Sequence, residues 1–172
     1  MNIQMRQGTI DDLPAVKEII RSAQLKLAAS GSPQWSGEDA PSEARLRTDM
    51  EDGNHYVFLI NQQIIGTAAL TKGQETAYET IVYGQWEKND ADYAVIHRFA
   101  ILPERNGRGY AALFFKLLLA AARESGMSEV RIDTHHLNRA MQKVITNHAF
   151  QFKGIIHLPI PHGERYAYQV FL

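Results

Sequence analysis

The sequence predicts an α/β or α+β fold, one β-sheet with helices packed on it. Three observations predict it. Strand-like and helix-like stretches alternate along the chain. A buried-looking strand over 92–102, ended by Pro103, leads through a glycine-rich turn straight into an apolar helix over 109–124. No repeat, low-complexity tract or interdomain linker breaks the pattern, so residues 1–172 are read as one domain, large enough to bury about two thirds of the surface its unfolded chain exposes.

The elements follow in order. Residues 3–7 form a short strand. Thr9 with Asp12 three residues on opens a helix over 11–29, with Leu13, Val16, Ile19 and Ile20 on one face. Residues 31–41 are rich in Gly, Pro and Ser and carry an isolated Trp35; Ser42 then caps a second, short helix that Gly53 ends. Residues 56–60 and 64–70 read as a hairpin turning at Asn61, Gln62 and Gln63, and 73–90 reads as irregular. After the helix over 109–124, with Gly126 at its end, come a strand over 130–134, a helix over 138–148 and strands over 152–156 and 166–171.

Composition narrows the function. With 45% hydrophobic and 22% charged residues the chain has the make-up of a globular protein, and a net charge of −1 supplies no field to draw nucleic acid or an anionic membrane. Cysteine is absent, which removes disulfides, thiolate metal sites and cysteine nucleophiles. The N-terminus lacks the pattern of a secretory signal, and no stretch approaches the roughly 20 apolar residues of a membrane span, so a cytoplasmic protein is expected. The adjacent His135 and His136 point to opposite faces of an extended chain, so no metal site is expected. Neither a Gly-x-Ser-x-Gly elbow nor the Gly-Lys-Ser/Thr end of a nucleotide loop is present.

The stretch Arg105, Asn106, Gly107, Arg108, Gly109, Tyr110, Ala111 carries the strongest chemical signal. Two glycines allow a close backbone approach, the helix start behind them offers unpaired N–H groups at its positive end, and two arginines can add charge-assisted contacts. That combination suits a pyrophosphate; a tight turn with glycines for geometry alone is the plainer alternative.

This stretch resembles motif A of the GNAT acetyltransferases, with Asn106, Gly109 and Ala111 in the motif's places and Asn106 standing where Gln or Arg is usual. Asn138, Met141, Ala149 and Phe150 match in spacing the late helix of that family, and Ile145 occupies the place where many members carry a Tyr that serves as general acid. Gln34 and Trp35, Gly84 to Trp86, His97 and Arg98, Asp133 to His135, and Arg165 to Gln169 are similar to a bacterial subgroup. The resemblance implies the GNAT fold, a central mixed and mostly antiparallel sheet of six to seven strands with splayed central strands, flanked by about four helices. It implies acetyl-CoA as cofactor, its pantetheine arm along Phe99, Ala100 and Ile101, its pyrophosphate over Asn106 to Ala111 with Arg105 alongside, and a contribution from Asn138.

The implied reaction is direct transfer of an acetyl group to a primary amine of a small molecule, amino acid or peptide. At pH 7 only roughly one alkylamine molecule in a thousand is unprotonated, so a base is required. Strict two-residue alternation puts Tyr93, Val95, His97, Phe99 and Ile101 on one face, and His97 is the first candidate for that base. A His at the matching place serves this way in the arylalkylamine N-acetyltransferases, which the segment resembles. His135 is a second catalytic candidate, and Tyr166 or Tyr168 could replace the missing acid. Gln34, Trp35, Tyr83, Trp86 and Tyr93 are candidate acceptor contacts. Two alternatives stand beside this reading: a CoA-binding module that senses or regulates without turnover, and a generic nucleotide binder. A homodimer is common in the resembled family.

Overall fold

A computed structural model describes residues 1–88 and 92–172. The chain runs β1 (Ile3–Gln7), α1 (Leu13–Ala29), α2 (Glu43–Glu51), β2 (His55–Ile60), β3 (Gln63–Lys72), β4 (Ala94–Ile101), α3 (Tyr110–Glu124), β5 (Glu129–Thr134), α4 (Arg139–Thr146), β6 (Gln151–His157) and β7 (Glu164–Phe171). The strands form one seven-stranded sheet in the order β1-β2-β3-β4-β5-β7-β6. Each neighbouring pair is antiparallel except β4 and β5, which are parallel.

Local chemistry explains the boundaries. The Asp12 carboxylate accepts from the Thr9 N–H at 2.8 Å, so the predicted cap forms, but it closes a 3₁₀ turn over Ile10–Asp12 and the α-helix starts at Leu13. Ser42 Oγ accepts from the Arg45 N–H at 3.1 Å and caps α2. In the β2–β3 hairpin only Asn61 and Gln62 turn, with φ of 49° and 69°, the two left-handed residues of a turn that matches strand twist. Gln63 therefore belongs to β3 and pairs with Ile60. The stretch predicted as irregular contains a 3₁₀ turn at Thr76–Tyr78 and a bridge between Val82 and Ile155; its residues 89 and 90 lie outside the described residues.

Helices cover both faces of the sheet. α1 buries Leu13, Val16, Ile19 and Ile20, and α3 buries Phe114, Phe115, Leu118 and Ala122. Each fully buried Phe or Leu stabilises the fold by roughly 1.5–3 kcal/mol. Phe114 stacks on Phe58 at 5.1 Å and on Phe99 at 5.2 Å, fastening α3 to β2 and β4. A smaller core under the far end of the sheet holds Tyr78, Tyr93, Val95, Ile156 and Ala167.

Two irregularities in β4 position the site. The pairing with β5 is confined to Ala94 with Val130 and Val95 with Arg131, after which the strands part. The pairing with β3 contains a bulge: Ala69 pairs with His97 and Thr67 with Ala100, so β4 spends one residue more than its partner, and Arg98 takes a left-handed φ of 51°. The bulge corrects the strict two-residue alternation expected of this strand. Phe99 turns toward Phe114 and Phe115 of α3, while His97 lies on the other face beside Glu75. His97 shares its face with Tyr93 and Val95 and not with Phe99 and Ile101, because the extra residue inverts every side chain beyond it.

Candidate functional site

The parting of β4 and β5 opens a cavity of about 810 Å³. Beyond Val95 the edge of β4 that faces β5 has no strand partner, and such buried polar edges call for a ligand. Toward the glycine-rich loop the cavity is bordered by Phe99, Ala100 and Ile101, then Asn106 and Ala111, with Met141 and Val144 of α4 also on its wall. The other end holds His97, Glu75, Tyr78, Asp133, Gln34 and Trp35, and Asn138 joins its wall at Gln34.

The glycine-rich loop has the properties of an anion cradle. Gly107 and Gly109 take φ of 75° and 76°, and open space stands where their side chains would be. Among the described residues, no backbone N–H from 107 to 112 has a backbone acceptor, and these groups open the 15-residue helix α3. Arg108 is exposed beside them. Arg105 is tied by Nη2 to Gln63 Oε1 at 2.6 Å and keeps a buried Nε without a partner. Tyr110 does not line the cavity; it leans on Phe58 and its hydroxyl approaches Met1 Sδ at 3.7 Å.

At the other end, His97 Nε2 lies 2.7 Å from Glu75 Oε1. The hydrogen bond from His97 holds the Glu75 carboxyl below its ordinary range, against the opposing effect of burial. An ionised carboxylate can only accept, so the proton of this bond sits on Nε2, and in the neutral ring Nδ1 is the acceptor. Across the gap the Tyr78 hydroxyl donates to Asp133 Oδ1 at 2.7 Å. Burial holds the Asp133 carboxyl above its ordinary value and, with the negative Asp133 beside it, raises the Tyr78 hydroxyl well above its own.

The segment over 31–42 closes this end through polar ties. Gln34 Oε1 accepts from Asn138 Nδ2 at 3.0 Å and Thr134 Oγ1 at 3.3 Å. Asp39 Oδ2 accepts from the Trp35 N–H at 2.7 Å and from Arg165 Nη2 at 2.8 Å. Trp35 itself takes a left-handed φ of 62° and packs on the main core while lining the cavity.

Several predicted residues are not brought to the cavity. Tyr83 is 86% exposed. Trp86 and Tyr93 clasp the buried Arg131, whose guanidinium carbon lies 4.3 Å and 3.9 Å from their ring centres and which also pairs with Glu129. These two rings stabilise a buried cation and face no acceptor. His135 stacks on His136, and its Nδ1 accepts from the Leu137 N–H at 3.1 Å; burial pushes its pKa down. Tyr166 packs between His136 and Phe152, and Tyr168 is buried against Phe152. None of these lines the cavity. Ile145 is fully buried, and the cavity face of α4, Ala140, Met141 and Val144, carries no acid. Glu75 and Tyr78 went unsingled in the sequence, and Asp133 entered only within the segment similar to the subgroup and with no role, since no motif marks a turn that meets β4 and β5 only in three dimensions. Among the described residues no group of three or more His, Asp or Glu is arranged to hold a metal ion, and no helix is long and apolar enough to cross a membrane.

A parted parallel strand pair, an N–H cradle at the start of the next helix and a histidine at the fork define an acyl-CoA-dependent transferase. The "Acetyltransferase (GNAT) family" matches residues 24–150. The chain belongs to that family, whose members take the acetyl group from acetyl-CoA. The crystal structure of a GNAT-family acetyltransferase from Streptococcus agalactiae 2603 is 29% identical, with a TM-score of 0.92 over 99% of this chain and 95% of that one. A GNAT-family acetyltransferase from Listeria monocytogenes 4b F2365 is 19% identical, TM-score 0.74, covering 99% and 95%. The PaiA N-acetyltransferase from Thermoplasma acidophilum in complex with coenzyme A is 16% identical, TM-score 0.72, covering 100% of both chains; these last two show the shared fold. No curated protein matches the chain.

Proposed function

We propose that this protein is a cytoplasmic, single-domain N-acetyltransferase over residues 1–172 that passes acetyl directly from acetyl-CoA to a primary amine of a small molecule, amino acid or peptide in a ternary complex. The observation that carries the reading is the His97–Glu75 pair, 2.7 Å apart, on a cavity that reaches Asn106 and Ala111, the residues on either side of the open glycines Gly107 and Gly109. Acetyl-CoA supplies the acetyl group as an activated thioester.

The chain's own groups do the rest. Backbone N–H groups from Gly107 to Ala111, helped by Arg108, hold a pyrophosphate. The unpartnered edge of β4 from Phe99 to Ile101 offers backbone groups to the pantetheine amides. His97 Nδ1 takes the proton that the attacking amine must lose, directly or through a water, while Glu75 fixes the ring and its tautomer. Positioning of the two reactants in one cavity is worth roughly 7–11 kcal/mol, so a side-chain acid is dispensable. A homodimer would use the sheet edge at β1.

Calorimetric titration with acetyl-CoA of the native chain and of Gly109→Trp tests the cradle, and thiol release on a panel of amines tests turnover. Binding lost in the variant, with turnover abolished by His97→Ala, is the expected result. No binding to the native chain overturns the reading; binding without turnover of any amine leaves a CoA-binding module.

A further inference from the structure

We infer that Asp133 is a specificity-determining residue that receives the acceptor amine as a cation, selecting alkylammonium acceptors over neutral arylamines; this rests on the acetyltransferase reading above. The last β4–β5 pair is Val95 with Arg131. Two residues further along each strand, on the same face by strand alternation, stand His97 and Asp133. They stand where the strands have parted, and both line the cavity.

Asp133 has the chemistry of a receptor. Its Oδ1 accepts from Tyr78, and among the described residues its Oδ2 has no hydrogen-bond partner while the half-buried residue lines the cavity. The carboxyl is held above its ordinary range, chiefly by burial, and a cation beside it would relieve that cost. Glu75, bound to His97, offers a second carboxylate on the same cavity, with only Oε1 engaged.

The deep cations make no hydrogen bond to Asp133 and are bound elsewhere, although the Arg165 charge acts on it at a distance. Arg98 is bound to Asp49 through two bonds of 2.7 and 2.8 Å, and Arg165 is bound to Asp39. Lys26 and Arg45 border the cavity from its exposed rim. An alkylammonium thus meets a carboxyl next to the group that then deprotonates it, while an arylamine, neutral at pH 7, gains nothing from Asp133. A hydrogen-bonded charge contact of this kind is worth about tenfold or more in affinity.

The test measures KM for phenethylamine, a cation at pH 7, and for 4-ethylaniline, neutral at the same pH, with saturating acetyl-CoA. Asp133→Asn keeps an acceptor for the Tyr78 hydroxyl and removes only the charge; it should raise the phenethylamine-to-ethylaniline KM ratio about tenfold or more. Tyr78→Phe removes the hydroxyl and keeps the carboxylate, and should leave that ratio where it is. An unchanged ratio in Asp133→Asn, or the same change in Tyr78→Phe, overturns the inference and marks Asp133 as a structural partner of Tyr78. Calorimetric binding of acetyl-CoA by each variant and turnover of either amine by the native chain are read alongside, so loss of the acetyltransferase reading itself is seen separately.

Discussion

Glu75 reaches His97 from the turn before β4, its Oε1 2.7 Å from Nε2, although 22 residues separate them in the chain. The contact sets which ring nitrogen carries the proton, and that assignment makes the pair testable as a unit. His97→Ala should lower kcat by about 10²–10⁴-fold with little effect on acetyl-CoA affinity. Glu75→Gln should cost about tenfold, the loss of one charged hydrogen bond. The double variant should be no slower than His97→Ala alone, because Glu75 acts through the ring; additive losses in steady-state kinetics would separate the two residues.

His55 carries a pH dependence of stability. It is 1% exposed, its Nε2 lies 2.8 Å from Thr67 Oγ1 and its Nδ1 has no partner. Burial lowers its pKa to about 4; Asp49 and Asp12 pull it up and Arg98 pushes it down. The folded value lies below the unfolded 6.5, so the unfolded chain binds the extra proton between these values. The stability held by neutral His55 is therefore complete above about pH 6.5 and is lost as pH falls toward 4, up to roughly 3 kcal/mol. Urea denaturation at pH 7 and pH 5 should show a smaller difference for His55→Asn than for the native chain.

The Arg165–Asp39 pair holds the segment over 31–42 against β7. Arg165→Met leaves the half-buried Asp39 without its counter-charge and should destabilise the fold by about 2–4 kcal/mol. Equilibrium urea unfolding measures this, and a variant as stable as the native chain would show that the pair contributes nothing net.

Gly66 is opposite Ile101, and a Cβ there would stand 2.6 Å from Ile101 Cδ1 and 3.2 Å from Phe58 and Phe114 atoms. Gly66→Val should cost about 1–3 kcal/mol by overpacking, read as a lowered denaturation midpoint.

Much of the fold was legible because its signals are local. The run from Ala94 through the Gly107–Gly109 turn into α3 combines a buried strand, left-handed glycines and a helix with apolar residues on one face, and none of these needs a distant partner. Ser42 and the Thr9–Asp12 box announced their helices for the same reason. The face of His97 was misread because a bulge depends on how β4 registers against β3, a relation between segments that alternation within one segment does not contain.

By itself the sequence determined the order of elements, the glycine cradle, the absence of thiol chemistry and His97 as the titratable side chain of the central strand. Only the tertiary structure decided that Trp86 and Tyr93 serve Arg131, that Tyr83 faces solvent, that Glu75 pairs with His97, and that Asp133 lines the same cavity. The reason is physical. A backbone preference is set by a residue and its near neighbours, whereas the partner of a polar side chain is set by whichever segment the sheet and its parted strands bring within about 3 Å.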